Sequence, residues 1–145
     1  MGFHENLLIY KKAMDLAVYF EKIVKNFSRY NKYTVGTELR SLSKEILKLI
    51  VKANPMKDKR EILLKIREKI EELKVLIKIC KEIKAFRSFK SFEYSIRNTV
   101  GIAKQNEGWL KSQNRGSVRQ EHSSAQKSLG VYPAHKGMRK QTIVS

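Results

Sequence analysis

Two sets of cations recur along this sequence at spacings that align side chains on a helix. Arg40, Lys44, Lys48 and Lys52 follow one another every four residues, and Lys90, Arg97, Lys104 and Lys111 every seven. A seven-residue step drifts only about 20° around a helix, so the second set predicts a nearly straight basic line. Such a line suits the phosphates of a nucleic acid, because each phosphate neutralised releases counterions. A merely solvated helix face also carries lysines, but it interleaves glutamates four residues away. Beside the second line only Glu93 and Glu107 are placed to do so, and the reading is nucleic-acid contact. Arg29, Lys32 and Arg87 join the candidate set because rings flank them, in Arg29-Tyr-Asn-Lys-Tyr33 and in Phe86-Arg-Ser-Phe-Lys-Ser-Phe92. Rings beside cations can stack on unpaired bases. Core packing is the preferred reading for Phe86, Phe89 and Phe92; Tyr30 and Tyr33 suit either role.

Catalytic chemistry finds little to work with. The three histidines are His4, His122 and His135, none of them beside a carboxylate pair, and the Glu-x-x-His pattern of a diiron bundle does not occur. The stretch Arg115-Gly-Ser-Val-Arg-Gln-Glu-His122 meets the Arg-to-His spacing of helical HEPN-type ribonucleases. Gly116 and an expected disordered setting make coincidence the better account. Glycine-rich phosphate loops are missing. Cys80 is the only cysteine, which leaves no internal disulfide and no cysteine-rich zinc site, and it reads as a small buried hydrophobe. The expectation is a protein that is not an enzyme, with no catalytic residue, metal or cofactor.

The elements that hold the cations are helical. Tyr10, Ala13, Leu16, Ala17, Phe20, Ile23, Val24 and Phe27 step by threes and fours, the period of one helix face. Residues 28–33 are polar and aromatic without a stripe. Thr34 offers an N-cap to a second segment whose stripe is Leu39, Leu42, Ile46, Leu49 and Ala53. Asn54-Pro55 stops it. Asp58-Lys-Arg-Glu61 resembles a capping box before a third stripe of Leu63, Ile66, Ile70, Leu73, Ile77 and Cys80. Ser88 or Ser91 can cap a fourth segment containing Phe92, Ile96, Val100, Ala103 and Leu110, weakened by Gly101 and Gly108. With short connections and no sustained alternation, an all-α, up-down-up-down four-helix bundle follows, its rival being a more open helical array.

Val75 and Ile79 point away from the third stripe, and Leu47 and Val51 lie beside the second. A contiguous exposed apolar surface marks an interface, so self-association through these four residues is expected, the plainer alternative being a wider core stripe.

The chain of 145 residues is long enough for one core, and its formal charge of +17 comes from 31 Lys and Arg against 14 Asp and Glu. Residues 1–112 hold 25 basic and 13 acidic side chains, so the bundle itself is basic. Like charge at that density costs stability unless a polyanion relieves it. Residues 113–145 have few large aliphatics among Gly, Ser and Pro, and are expected to form a flexible, disordered basic tail. No run approaches the length of a spanning helix, and neither a secretory signal nor a myristoylation signal stands at the start. A soluble cytoplasmic protein is the expectation.

Phe27-Ser-Arg-Tyr-Asn-Lys-Tyr-Thr-Val-Gly-Thr-Glu-Leu-Arg40, Lys84-Ala-Phe-Arg-Ser-Phe-Lys-Ser-Phe92 and Glu107-Gly-Trp-Leu-Lys111, at the spacing found here, resemble the Avd family, the accessory variability determinants of diversity-generating retroelements. The likeness covers about residues 7–112. The resemblance implies a pentameric, highly positive barrel of four-helix bundles, in a prokaryotic cell or encoded by a phage. It would bind RNA and DNA and associate with the retroelement's reverse transcriptase in mutagenic retrohoming, with no active site of its own. A related family of four-helix bundles, including proteins encoded in intervening sequences of ribosomal RNA genes, is the alternative and implies a structural or protein-interaction scaffold. The tail from Ser112 onward departs from the Avd pattern.

Overall fold

A computed structural model describes residues 7–125, with side chains to residue 114. The helices are α1 (Leu8–Val24), α2 (Arg29–Tyr33), α3 (Val35–Ala53), α4 (Arg60–Glu82) and α5 (Phe89–Ala125), with no strand among the described residues. The four long helices form an up-down-up-down bundle. Glu21 of α1 meets Arg40 and Lys44 of α3, and Glu45 of α3 meets Lys69 of α4. The Leu63 carbonyl of α4 accepts from Asn106 of α5, and Lys81 near the end of α4 sits over Phe92 near the start of α5. Tyr94 of α5 returns to Tyr19 of α1, ring centroids 4.2 Å apart. Late Glu21 meets early Arg40, late Lys81 meets early Phe92, early Leu63 meets late Asn106, and early Glu38 shares a groove with late Ile79, so neighbours are antiparallel. The ring runs α1, α3, α4, α5, which sets α3 and α5 on a diagonal.

All six expected residues of α4 are buried, as are Ala13, Leu16, Ala17, Phe20, Val24 and Phe27 of the first stripe, with Tyr10 and Ile23 half-buried. The stripe of α3 is met in part: Leu39, Ile46 and Ala53 are buried, Leu42 and Leu49 are half-buried, and Ser43 and Ile50 complete the inward line. Burying a side chain of the Leu or Phe class contributes about 1.5–3 kcal/mol, which decides the facing of each helix. Helix α5 departs from expectation. Its inward line is Ser95, Thr99, Ile102, Asn106 and Leu110, while Phe92, Ile96, Val100 and Ala103 are only half-buried. The polar members are tolerated because each is bonded: Ser95 Oγ donates to the Ser91 carbonyl at 2.7 Å, Thr99 Oγ1 to the Ser95 carbonyl at 2.8 Å, and Asn106 Nδ2 to the Leu63 carbonyl at 3.0 Å.

The helix ends differ from the sequence reading in three places. Ser28 accepts from the Asn31 N–H and starts α2, a single turn within residues expected to be irregular. Thr34 stands at the N-cap of α3 as expected, but its side chain makes no cap bond; its hydroxyl donates back to the Tyr30 carbonyl at 2.8 Å and closes α2 instead. The choice between Ser88 and Ser91 goes to Ser88, whose Oγ accepts the Ser91 N–H at 3.2 Å. The capping box expected of Asp58 and Glu61 does not form: the N-cap of α4 is Lys59, without a side-chain cap bond, and Asp58, one residue before it, accepts the Arg60 N–H at 3.3 Å. Helix α4 ends in a Schellman motif, with Ala85 N–H on the Cys80 carbonyl and Lys84 N–H on the Lys81 carbonyl. That motif puts Lys84 at φ 58°, a left-handed conformation that usually falls to glycine.

Residues 7–113 constitute the bundle. The backbone of α5 continues to Ala125, beyond the expected boundary at 112, and the remainder of the expected tail, residues 126–145, lies outside the described residues. No described helix is long and apolar enough to cross a membrane.

Candidate nucleic-acid interface

The two basic rows stand on opposite corners of the bundle. On α5, Lys90, Arg97, Lys104 and Lys111 point outward, roughly opposite the buried Ser95–Thr99–Ile102–Asn106 line. On α3 the row drifts about 40° per step, from the flank facing α1 at Arg40 to the solvent side at Lys48 and Lys52. One bundle therefore offers two separate lines of cations.

Their electrostatic states differ. Lys44 Nζ lies 2.7 Å from Glu21 Oε2, with Arg40 at 4.0 Å from the same carboxylate. The hydrogen bond from Lys44 holds Glu21 below its ordinary carboxylate range, against the smaller opposing effect of desolvation. Arg97 pairs with Glu93 at 3.3 Å. Lys48, Lys52, Lys90 and Lys104 are exposed and have no ion pair among the described residues. Lys111 is half-buried and helps hold the Glu107 carboxyl ionised, after the larger effect of a hydrogen bond from Arg67. That Arg67–Glu107 pair, with both guanidinium contacts at 2.7–2.8 Å, cross-links α4 to α5 and was not evident from either helix alone.

The remaining candidates lie at one end of the bundle, where α1 passes into α3 and α4 into α5. Arg87 donates its Nε–H to the Asn26 carbonyl and so ties the two connections together. Phe86 packs edge-on against Phe27, centroids 5.8 Å apart, and Phe92 lies 6.1 Å from Phe86. These two rings are half-buried and pack against the edge of the core, close to the expected role. Phe89 does not: as the first residue of α5 it precedes the inward line, touches only Phe92 among the ring contacts, and is 64% exposed. Tyr30 and Tyr33 on α2 are 76% and 68% exposed. Arg29 is exposed and Lys32 half-buried beside them.

The four apolar candidates do not form one patch. Val75 and Ile79 line a groove of about 560 Å³ between α3 and α4, with Leu42 and Leu76 and a rim of Glu38, Glu45 and Glu72. Leu47 and Val51 lie on the other flank of α3, the one that carries Arg40 and Lys44 toward α1. Heptad reasoning on one helix at a time places residues around that helix; it does not say which neighbour each flank will meet.

Cys80 is fully buried, and burial, with a smaller contribution from Glu38, pushes its thiol up to about 12, so it stays protonated and unreactive. No cluster of three or more potential metal ligands forms among the described residues. The Arg115 to His122 stretch lies where side chains are not described.

In comparison with known protein families, residues 7–113 match the family described as bAvd-like. No curated protein matches the chain.

Proposed function

Because the chain belongs to the bAvd-like family, the accessory variability determinants of diversity-generating retroelements, we propose that it is a non-catalytic accessory protein that holds nucleic acid for a reverse transcriptase. Its partners on this reading are the template RNA or its complementary DNA, the polymerase, and further copies of itself, five by resemblance. The observation that carries the reading is a set of exposed cations without carboxylate partners among the described residues, Lys48, Lys52, Lys90 and Lys104, placed on packed helices. Packed helices hold these cations in register, no carboxylate among the described residues has to be displaced from them, and phosphate both relieves their mutual repulsion and gives up counterions.

Reversing Lys48, Lys52 and Lys104 to Glu tests it. None is buried, so helical circular dichroism should not change, while RNA affinity should fall and the salt slope shrink by about one per lysine removed. Unchanged RNA binding would refute the proposal. A second reading, a protein-interaction scaffold, is favoured by the α3–α4 groove, whose acidic rim repels phosphate and whose Val75 and Ile79 are 57% and 45% exposed. On that reading RNA binding is absent even in dilute salt.

A further inference from the structure

Charge is unevenly distributed between the two ends of the bundle. At the end formed by α2 and the α4–α5 connection, residues 22–37 and 83–92, flanked by Glu21, Glu38, Glu82 and Glu93, contain no carboxylate themselves and carry Lys22, Lys25, Arg29, Lys32, Lys84, Arg87 and Lys90. The opposite end has Asp58 in its single connection, residues 54–59, and Glu61 in the first turn of α4. The acid-free end is also where Tyr30, Tyr33 and Phe89 stand in solvent, although Phe27, Phe86 and Phe92 of the same segments pack inward.

Exposed rings of that size leave apolar area in water that a bundle of this length has room to cover. Tyr30 and Tyr33 are three residues apart, so they share one face of α2 one turn from each other. The turn that presents them is fixed by the Ser28 cap, the Thr34 hydroxyl on the Tyr30 carbonyl, and the Thr37 hydroxyl on the Lys32 carbonyl. Arg87 on the Asn26 carbonyl holds the Phe89 segment to the same end. The platform is therefore ordered before any ligand arrives, which reduces the entropy lost on binding.

From this we infer that the α2 end of the bundle is a binding site for unpaired nucleic acid, with Tyr30, Tyr33 and Phe89 stacking on bases while the surrounding cations hold the backbone. The inference rests on the nucleic-acid reading above and adds a strand class to it. Duplexes keep their bases stacked on one another and offer the rings nothing; a single strand offers a π-face at every nucleotide. The row on α3 carries no ring between its cations, and the one exposed ring between those on α5, Tyr94, is already packed on Tyr19 at 4.2 Å. Single-stranded RNA and single-stranded DNA share the chemistry.

The test compares wild type with Tyr30→Ala/Tyr33→Ala/Phe89→Ala in the full chain, by fluorescence anisotropy on a dT oligonucleotide of about 12 nucleotides, an rU oligonucleotide of that length and a DNA duplex. The triple variant should lose at least about tenfold on both single strands and less than about twofold on the duplex. Its salt slope should equal that of wild type, because no cation has been removed. Tyr30→Phe/Tyr33→Phe, which keeps the rings, should retain wild-type affinity, and this separates stacking from a misfolded end. Equal losses on duplex and single strand, or no loss on either, would overturn the inference while leaving nucleic-acid binding in place. A triple variant that loses co-purification with the reverse transcriptase but keeps its single-strand affinity would also overturn it, assigning the rings to the protein partner. If wild type binds none of the three probes at low salt, the broader reading fails first.

Discussion

Gly36 shows how closely the first two long helices approach. A Cβ placed there would lie 2.6 Å from Val24 Cγ1 and 3.0 Å from the Asn31 carbonyl oxygen, the latter backbone that cannot rotate aside. Gly36→Ala should therefore cost about 1–3 kcal/mol, readable as a lower urea midpoint with an unchanged slope. The ion pairs are weaker but carry a pH signature. Glu21 and Glu107 are held below the ordinary value of 4.5 by hydrogen bonds from Lys44 and Arg67. A carboxyl with a lowered folded pKa stabilises the fold above its unfolded value and loses that contribution as pH falls through the folded one. Both pairs are partly exposed, so each is worth no more than about 1 kcal/mol. Denaturant unfolding should show stability declining below about pH 4.5, and Glu107→Gln should flatten that decline.

At the scale of the helices, α5 holds reserves of stability. A Cβ at Gly108 would meet nothing within 4 Å, so Gly108→Ala should raise stability by about 0.8–1 kcal/mol through helix propensity alone, checked by thermal melting. An unchanged or lower melting temperature would contradict the placement of that residue. Helices α1 and α4 were legible because their inward faces are almost wholly apolar, whereas on α3 the buried Ser43 pulled the expected stripe aside to Leu42 and Leu49, which are half-buried. Helix α5 was not, because Ser95, Thr99 and Asn106 are buried behind hydrogen bonds that a hydrophobic pattern cannot register. The residues of α2 were also opaque: five residues have no period, and the cap is a Ser whose role depends on where the preceding helix stops. Phe89 illustrates the same limit. Its type argued for burial, and only its position one turn ahead of the inward line leaves it in solvent.

For the molecule as a whole, what the sequence could supply was the list of cations; their pairing required the fold. Glu21 comes to Lys44 from another helix, and the Arg67–Glu107 bond joins residues 40 apart, so no reading of a single segment could remove Lys44 from the pool of free charge. The α3–α4 groove likewise emerges only when two helices are placed side by side. If further copies of the chain cover it, light scattering should give a mass above one chain, and Val75→Lys/Ile79→Lys should reduce that mass while leaving the melt cooperative. A wild-type mass equal to one chain would remove self-association from the account. The central claim is that fixed surplus cations make a polyanion the working partner, and the most direct measurement is the affinity of the wild-type protein for RNA as salt is raised from about 50 to about 200 mM. The account predicts tight binding at the low end and a steep, linear fall in log affinity against log salt; no binding at about 50 mM, or an affinity indifferent to salt, would contradict it.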